Sequence, residues 1–321
     1  MGRETTAGTA TTATTLWRGM GVLLDARTVE FPEENIGILT GVDRSYTPKL
    51  DASISFDSVP ATYQQILHIL EAGVLTATPT TDGTGSDRIY TYNVATTAAP
   101  TIKTYTLEGG DNQQAEKMEY GFVESFSLEG ATGEALMMSA DWKGRQITNA
   151  TYTASIAVPA VEEILFSKGK LYSDTTTSGF GITQLTDTLL AATLEMKTGI
   201  IQKWTADGNI YFSFHQFTQP EITLNVTFEH NTNAVAEKTN WRNGTTRALQ
   251  LLFTGSAFTT AGTTYSVHTL KINLAGKWES FDALGEQDGN DIYDATFRVG
   301  YNAQLAQAAQ FIVVNQLTAV P

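Results

Sequence analysis

The sequence predicts a mainly β protein, built from two tandem β-sandwich domains that each carry a flanking α-helix. Short segments of alternating apolar and polar residues recur between clusters of Gly, Asn, Asp and Thr, which is typical of antiparallel sheets. Two short stretches show helical spacing instead. The order of elements in the first half recurs in the second, which indicates an internal repeat.

Six segments show the alternation most clearly, and in most of them one side is largely apolar. Alternate side chains of a strand point to opposite faces of its sheet, so each segment has one face for a core and one polar face. The six predicted strands are Leu50–Asp57, Tyr120–Glu129, Ala135–Lys143, Glu221–Glu229, Thr269–Trp278 and Ile292–Val299.

Two stretches predict the helices. Ala61–Ala72 repeats apolar residues at intervals of three and four and is followed by Gly73, a common C-terminal stop. Thr245–Thr254 has a similar pattern before Gly255. The segments 77–87 and 231–244 are predicted to be long loops.

The two halves match in several places, which favours a duplicated domain. The join lies between Gln146 and Leu189, and we predict domains at residues 1–150 and 151–321. The matched sets are Thr40-Gly41-Val42 and Tyr46 with Thr198-Gly199-Ile200 and Trp204, Ile54–Asp57 with Val226–Glu229, Ile66–Leu70 with Ala248–Leu252, and Met138–Lys143 with Tyr293–Arg298.

Charge and composition exclude several classes of protein. The chain has 321 residues with 34 acidic and 20 basic side chains, a formal net charge of −14, which argues against a surface that grips nucleic acid. Cysteine is absent, so neither disulfides nor thiolate chemistry is expected. No apolar run is long enough to span a membrane and no secretory signal is evident, so we expect no membrane partner.

Complete catalytic and metal-binding motifs are missing from the sequence. The four histidines show no zinc-binding spacing, and neither a phosphate-binding loop nor a nucleophile elbow occurs. His68 is interpreted as a helix residue with a local hydrogen bond. We therefore predict that the chain is not an enzyme and holds no metal or cofactor.

The order strand, helix, extended strands and closing hairpin occurs twice in this Thr-rich chain. With this pattern the chain resembles the major tail tube proteins of long-tailed, siphovirus-type bacteriophages. The resemblance covers most of the chain through patterns rather than one diagnostic string. It is carried by Thr40-Gly41, Leu50–Asp57, Ile66–Gly73 and Met118–Arg145, and by Thr198-Gly199, Ile222–Glu229, Ala248–Gly255 and Leu270–Tyr301.

This resemblance implies two tail-tube-like domains, the first with an N-terminal arm (Thr5–Asp25) and the second with a C-terminal extension. Six such domains form a ring, so three chains would make a ring with pseudo-sixfold symmetry, and rings would stack head to tail. The tube would conduct DNA without specific binding and would meet tape measure, tail terminator and distal tail proteins. The protein would belong to the virion and assemble in the bacterial cytoplasm. The arm is expected to become ordered only against adjacent rings.

An acidic wall would repel the phosphates of passing DNA, and alternation along the strands nominates the side chains that line it. Whether this polar face meets a lumen, outer solvent or a neighbour stays open at this point. Lys143 and Arg298 are candidates for pairing with acids across strands. The candidate lumen-facing residues are Asp51, Ser53, Ser55, Asp57, Ser139, Asp141, Lys143, Thr223, Asn225, Thr227, Glu229, Asp294, Thr296 and Arg298.

Two alternatives remain from sequence alone. One is a β-sandwich subunit of a surface or adhesion assembly. The other is a carbohydrate-binding module or hydrolase, for which Trp17, Trp241 or Trp278 would offer a stacking platform, although tryptophans more often belong to a core.

Overall fold

The computed structural model of this chain describes residues 1–41 and 43–321. Strands take up 48% of the chain and helices 7%, so the prediction of a mainly β fold is confirmed. Val42, one of the residues matched between the halves, lies outside the described part.

All six predicted strands are present. They lie in β5 (Ala52–Pro60), β9 (Ala115–Ala131), β10 (Met137–Gly144), β16 (Glu221–Glu229), β18 (Val267–Phe281) and β20 (Asn290–Val299). In the first half the elements are β1 (Gly2–Arg3), β2 (Gly21–Asp25), β3 (Thr28–Glu30), β4 (Tyr46–Lys49), β5 (Ala52–Pro60), α1 (Ile66–Gly73), β6 (Thr80–Thr81), β7 (Arg88–Asn93), β8 (Tyr105–Gly110), β9 (Ala115–Ala131), β10 (Met137–Gly144) and β11 (Ile147–Ala150). In the second half they are a 3-10 helix (Phe166–Lys168), β12 (Gly169–Thr175), β13 (Leu189–Lys197), β14 (Ile200–Lys203), β15 (Phe214–Phe217), β16 (Glu221–Glu229), α2 (Thr232–Arg242), β17 (Arg247–Ala257), β18 (Val267–Phe281), β19 (Gly285–Gln287), β20 (Asn290–Val299) and β21 (Ala309–Asn315).

One layer of the fold is an antiparallel sheet that runs through both halves in the order β2-β5-β10-β9-β13-β16-β20-β18. We call it the eight-stranded layer. The halves meet where β9 pairs with β13, in a ladder that places Leu194 opposite Leu128. Buried residues alternate with half-buried or exposed ones along most of these strands, although β2 has no buried residue. The layer therefore has one core face and one polar face.

The long strands β9 and β18 take part in a second layer as well. The N-terminal part of β9 pairs with β8 and β11, and that of β18 pairs with β17 and β21. β1 extends the first group and β12 the second. The core contains fully buried aromatic side chains, among them Trp142, Phe228, Phe297 and Phe311. Truncating one of these to Ala is expected to cost about 3–5 kcal/mol of folding free energy.

The same order of elements occurs twice along the chain. The first half follows β1, β2, the hairpin β3–β4, β5, α1, β8, β9, β10 and β11. The second follows β12, β13, the hairpin β14–β15, β16, α2, β17, β18, β20 and β21. Corresponding strands also pair with corresponding neighbours, as in β5–β10 and β16–β20. The first half has an additional hairpin, β6–β7, and β7 pairs with β21 of the second half.

The helix prediction is confirmed in the first half, where α1 lies inside Ala61–Ala72 except for its last residue and is buried throughout. It is wrong in the second half, where Thr245–Thr254 falls almost entirely in β17. β17 has a strand on each side, and residues 247–251 are all buried. A strand buried on both faces is a continuous apolar run, which short-range periodicity does not distinguish from a buried helix.

The second helix instead lies in the segment 231–244, which was predicted to be a loop. Its N-cap is Asn231, whose side chain accepts hydrogen bonds from the backbone N–H groups of Asn233 and Ala234. The cap, rather than an apolar face, marks the start of this mostly polar helix. The predicted loop 77–87 contains the short strand β6.

Two of the predicted matches between the halves need correction. In the ladders, Ala140 lies opposite Phe56 and Ala295 opposite Val226, so Phe56 corresponds to Val226 rather than to Phe228. A shift of two residues keeps the same face, which is why alternation alone did not detect it. The segment 40–46 leads into β4, whereas 198–204 contains β14, so these two segments are not equivalent.

The N-terminal residues do not form a free arm. The amino group of Met1 donates a hydrogen bond to the carbonyl of Thr15 at 2.8 Å, and β2 pairs with β5. The buried carboxylate of Glu4 accepts hydrogen bonds from the Thr104 hydroxyl at 2.7 Å and the Tyr120 N–H at 2.8 Å. These bonds hold the segment on its own chain, contrary to the expectation that it needs a neighbouring ring.

Candidate functional site

The candidate site is the polar face of the eight-stranded layer. All fourteen residues nominated from the sequence lie on β5, β10, β16 and β20 or directly before β5, and each is half-buried or exposed. In the ladders, Ser55 lies opposite Asp141 and Thr227 opposite Asp294. Because β9 and β13 make the sheet continuous, residues of both halves share one layer.

Hydroxyl groups hold the acids of this face in place. Asp141 accepts hydrogen bonds from Ser55 at 2.6 Å and from Ser125 at 2.9 Å. In the second half, Thr227 donates to Asp294 at 2.6 Å, and Thr296 donates to the Asn225 side chain at 2.8 Å. Hydrogen-bonded carboxylates keep a defined position while their charge still faces outward.

Two basic residues of the face are paired with acids on neighbouring strands. Lys143 contacts Glu124 at 3.6 Å and Arg298 contacts Glu279 at 3.4 Å, as the sequence suggested for both. These two ion pairs occupy corresponding places in the two halves. Exposed pairs of this kind contribute little to stability, about 0–1 kcal/mol. Their effect is to neutralise the cations locally.

Other acids of the face have no such partner. Within the described part of the chain, no salt bridge reaches Asp57, Glu129, Asp141, Glu195 or Asp294. The face therefore carries excess negative charge at neutral pH. Such charge acts over about 10 Å at ordinary ionic strength, so it repels polyanions that pass close to the sheet.

Two nominated residues lie at the rims of the face. Asp51 precedes β5, where its carboxylate accepts a hydrogen bond from Gln202 at 2.9 Å and contacts Lys49 at 3.2 Å. Glu229 ends β16 and lies opposite the buried Ile292 rather than another polar residue. Neither contributes to the centre of the face.

The sequence prediction missed the polar residues that the two middle strands of the layer, β9 and β13, contribute to this face. On β13, Thr193, Glu195 and Lys197 alternate with buried apolar residues and face the polar side. Leu189–Lys197 was not identified as a strand, although this alternation is visible in it. On β9, Ser125, Ser127 and Glu129 belong to a predicted strand but were not nominated.

The eight-stranded layer ends in two open edges. One is β2, which pairs only with β5 among the described residues and leaves Val22 82% and Leu24 59% exposed. The other is the stretch 277–281 of β18, because β17 accompanies β18 only as far as Gly276. Exposed edges and apolar edge residues promote pairing with another chain.

A Ser–Glu–His cluster elsewhere lacks the geometry of a catalytic triad. Ser256 lies 3.2 Å and Glu162 2.9 Å from His268, but both contacts involve the same ring nitrogen, Nδ1. A histidine base needs one nitrogen for the nucleophile and the other for the acid. Within residues 1–41 and 43–321, no group of three or more His, Asp or Glu side chains is arranged to hold a metal ion.

His68 has a structural role in α1. Burial lowers the pKa of its imidazole to about 3, so the ring stays neutral near pH 7. The Tyr105 hydroxyl donates to Glu71 at 2.7 Å, so its oxygen accepts from Nδ1–H of His68 at 3.2 Å. His68 therefore makes a hydrogen bond as predicted, but its partner lies 37 residues further along the chain rather than locally.

The three tryptophans considered for sugar stacking pack against the protein. Trp17 stacks on Phe56 with ring centroids 4.6 Å apart, and Trp278 is buried. Trp241 packs partly against the core and donates to the carbonyl of Glu279 at 3.2 Å. Their rings serve packing rather than an open platform.

In comparisons with known proteins, neither a family model nor a curated protein sequence matches this chain. Neither α1 nor α2, the α-helices of the described residues, has the length and apolarity needed to cross a membrane.

Proposed function

We propose that this chain is a virion structural protein that self-assembles into rings, which stack to form the tail tube of a long-tailed phage. The observation that carries the proposal is the β9–β13 junction, where strand edges of two similarly built halves make one sheet. Edges of the same two kinds remain open at the ends of the layer, on β2 and β18. A chain with complementary edges at its two ends joins to copies of itself head to tail.

Head-to-tail contacts produce either a closed ring or an open filament, depending on the rotation between neighbours. With two similar units per chain, three chains place six units around an axis, the number that the tail tube resemblance implies. A closed ring leaves no unpaired edge in the layer, so assembly removes a site of uncontrolled aggregation.

The polar face suits the wall of a DNA conduit. Three of its basic residues, Lys143, Lys197 and Arg298, are each paired with a glutamate, whereas the exposed Lys277, opposite Arg298, has no salt bridge among the described residues. Binding of DNA relies on clustered Lys and Arg that neutralise phosphates, and most of these groups are already occupied here. The excess carboxylates repel the phosphates instead. DNA would then pass through without being held.

Negative-stain electron microscopy of the purified protein at increasing concentration tests the proposal. Stacked rings or tubes with a central channel are expected. Compact monomers at every concentration would contradict it, and fibres without a channel would favour a surface or adhesion subunit instead.

A further inference from the structure

We infer that the ring closes through one defined strand pairing, in which Leu24, Asp25 and Ala26 of one copy lie opposite Asp282, Phe281 and Ser280 of the next. The inference rests on the proposed ring assembly and identifies the partner of both open edges as a second copy of this chain. In this pairing, the contact between chains has the same register as the β9–β13 ladder inside one chain.

β2 in the first half corresponds to β13 in the second half. Leu23 on β2 lies opposite Ile54, and Leu194 on β13 lies opposite Leu224. Ile54 and Leu224 hold the same position, because their partners on the other side are Trp142 and Phe297. Leu23 therefore corresponds to Leu194. The next residues, Leu24, Asp25 and Ala26, correspond to Glu195, Met196 and Lys197.

The C-terminal part of β18 corresponds to the C-terminal part of β9. Val123 lies opposite Trp142, and Trp278 lies opposite Phe297. Each ladder then has a bulge at a glutamate, Glu124 or Glu279. The segments Gly121–Phe126 and Gly276–Phe281 share the pattern G-x-x-E-S-F. Ser125, Phe126 and Ser127 thus correspond to Ser280, Phe281 and Asp282.

The register between chains follows from these two correspondences. Within the chain, Glu195, Met196 and Lys197 lie opposite Ser127, Phe126 and Ser125. When each of these residues is replaced in the ladder by its counterpart, the pairs become Leu24 with Asp282, Asp25 with Phe281 and Ala26 with Ser280. The correspondence between β9 and β18 does not extend beyond Asp282. Gly285 lies opposite Ile292, and at the equivalent place in the first half Glu129 lies opposite Met137. The second half therefore has one additional residue between Asp282 and Gly285.

At this edge of β18 the incoming strand meets side chains of α2. The side chains of Trp241 and Lys238 reach the carbonyls of Glu279 and Asp282, at 3.2 and 3.5 Å. In the first half α1 contacts β9 in a comparable position, and β13 still pairs with that edge. A helix in this place is therefore compatible with a paired edge.

The absence of cysteine permits a direct test by cross-linking. Directly opposite residues of an antiparallel pair have Cα atoms about 4.5–5.5 Å apart, which is within the range that a disulfide spans. The variant L24C/D282C is concentrated, oxidised with copper phenanthroline in air and separated without reductant. Covalent species of two and three chains are expected, with the three-chain species as the end point. The variant S127C/E195C, with the corresponding pair inside one chain, is the positive control, and L24C/F281C, whose second cysteine points to the other face, is the negative control.

The outcomes separate this inference from the proposed tube. Cross-linked three-chain rings without tubes would support the pairing and contradict the tube. Tubes without an L24C/D282C cross-link, or with equal cross-linking in L24C/F281C, would overturn the pairing alone. A ladder that continues beyond three chains would overturn the three-chain closure, and absence of both assembly and cross-links would overturn both.

Charge substitution gives a second readout that needs no oxidation. Leu24→Asp places an acid opposite Asp282, and like charges directly opposite each other destabilise a strand pair. We expect Leu24→Asp to raise the concentration needed for assembly several-fold, and Leu24→Asp combined with Asp282→Lys to restore it. The same change at Ile182, an exposed apolar residue away from both edges, is the control. A defect that Asp282→Lys fails to rescue would contradict the inferred register.

Discussion

β13 and β2 hold corresponding places in the two halves, yet only β13 has a strand on both sides. β13 pairs with β9 and β16, whereas β2 pairs with β5 alone in the described structure and exposes Val22 and Leu24. In the proposed ring, this difference separates one chain from the complete assembly. The inner contact is made within the chain, and the outer one is made with another copy.

The contact inside the chain is also reinforced by a second junction. β7 of the first half pairs with β21 of the second, and the Asn315 side chain donates to the carbonyl of Tyr63 at 2.7 Å. The second half has no described hairpin that corresponds to β6–β7. A contact between chains would therefore be weaker than the one between halves, and rings are expected to dissociate before the chains unfold.

Each helix is anchored by a buried acid, and the halves differ in how deeply they bury the arginine that pairs with it. Glu237 on α2 accepts hydrogen bonds from Arg247 at 2.9 Å and from Trp278 at 2.8 Å, and the Arg247 side chain is 10% exposed. Glu71 on α1 accepts from Arg3 at 2.6 Å, and the Arg3 side chain is 29% exposed.

The largest expected effect comes from removing these anchors. Glu237→Ala leaves a buried guanidinium without its acid, which costs about 3–5 kcal/mol. Glu71→Ala is expected to cost less, about 1–3 kcal/mol, because Arg3 reaches water. Urea denaturation of each variant and of the wild type measures both losses of unfolding free energy. Equal losses, or a larger loss in Glu71→Ala, would contradict this difference between the halves.

The second prediction concerns pH and involves the first half only, through His68. Its folded pKa, about 3, lies below the ordinary value of 6.5, so the unfolded state binds more protons between these values. Its contribution to stability is fully present above pH 6.5 and is lost as the pH falls towards 3, by about 1.4 kcal/mol per pH unit. The difference in unfolding free energy between wild type and His68→Gln should follow this slope. A difference that does not vary with pH would show that His68 does not titrate in this way.

The smallest predicted effect concerns the start of α2. Asn231 caps this helix with its side chain, whereas the N-cap of α1, Gln65, makes no such bond. Asn231→Ala is expected to cost about 1 kcal/mol, and Asn231→Asp, which keeps the acceptor oxygen, should cost less. Thermal unfolding of the two variants measures the difference. Equal losses would mean that the cap bond is not what matters at this position.

The sequence predicted those elements whose two faces differ. β5, β10, β16 and β20 alternate apolar and polar residues, and their polar faces contain all the nominated residues apart from Asp51, which directly precedes β5. β17 lacks a polar face, so it resembled a helix, and α2 lacks an apolar face, so it resembled a loop. The β9–β13 junction joins segments about 65 residues apart, and local periodicity carries no information about such pairing.

Hydrogen exchange of the backbone amides tests whether the open strand edges join one copy to the next, by comparing β2 with β13 in dilute and in concentrated protein. We predict equal protection of peptides covering 189–197 in both conditions, whereas peptides covering 21–25 and 277–282, which are paired on one side within the chain, gain further protection in concentrated protein. If β2 and the end of β18 exchange equally fast in both conditions while the protein assembles, the open edges do not join the copies.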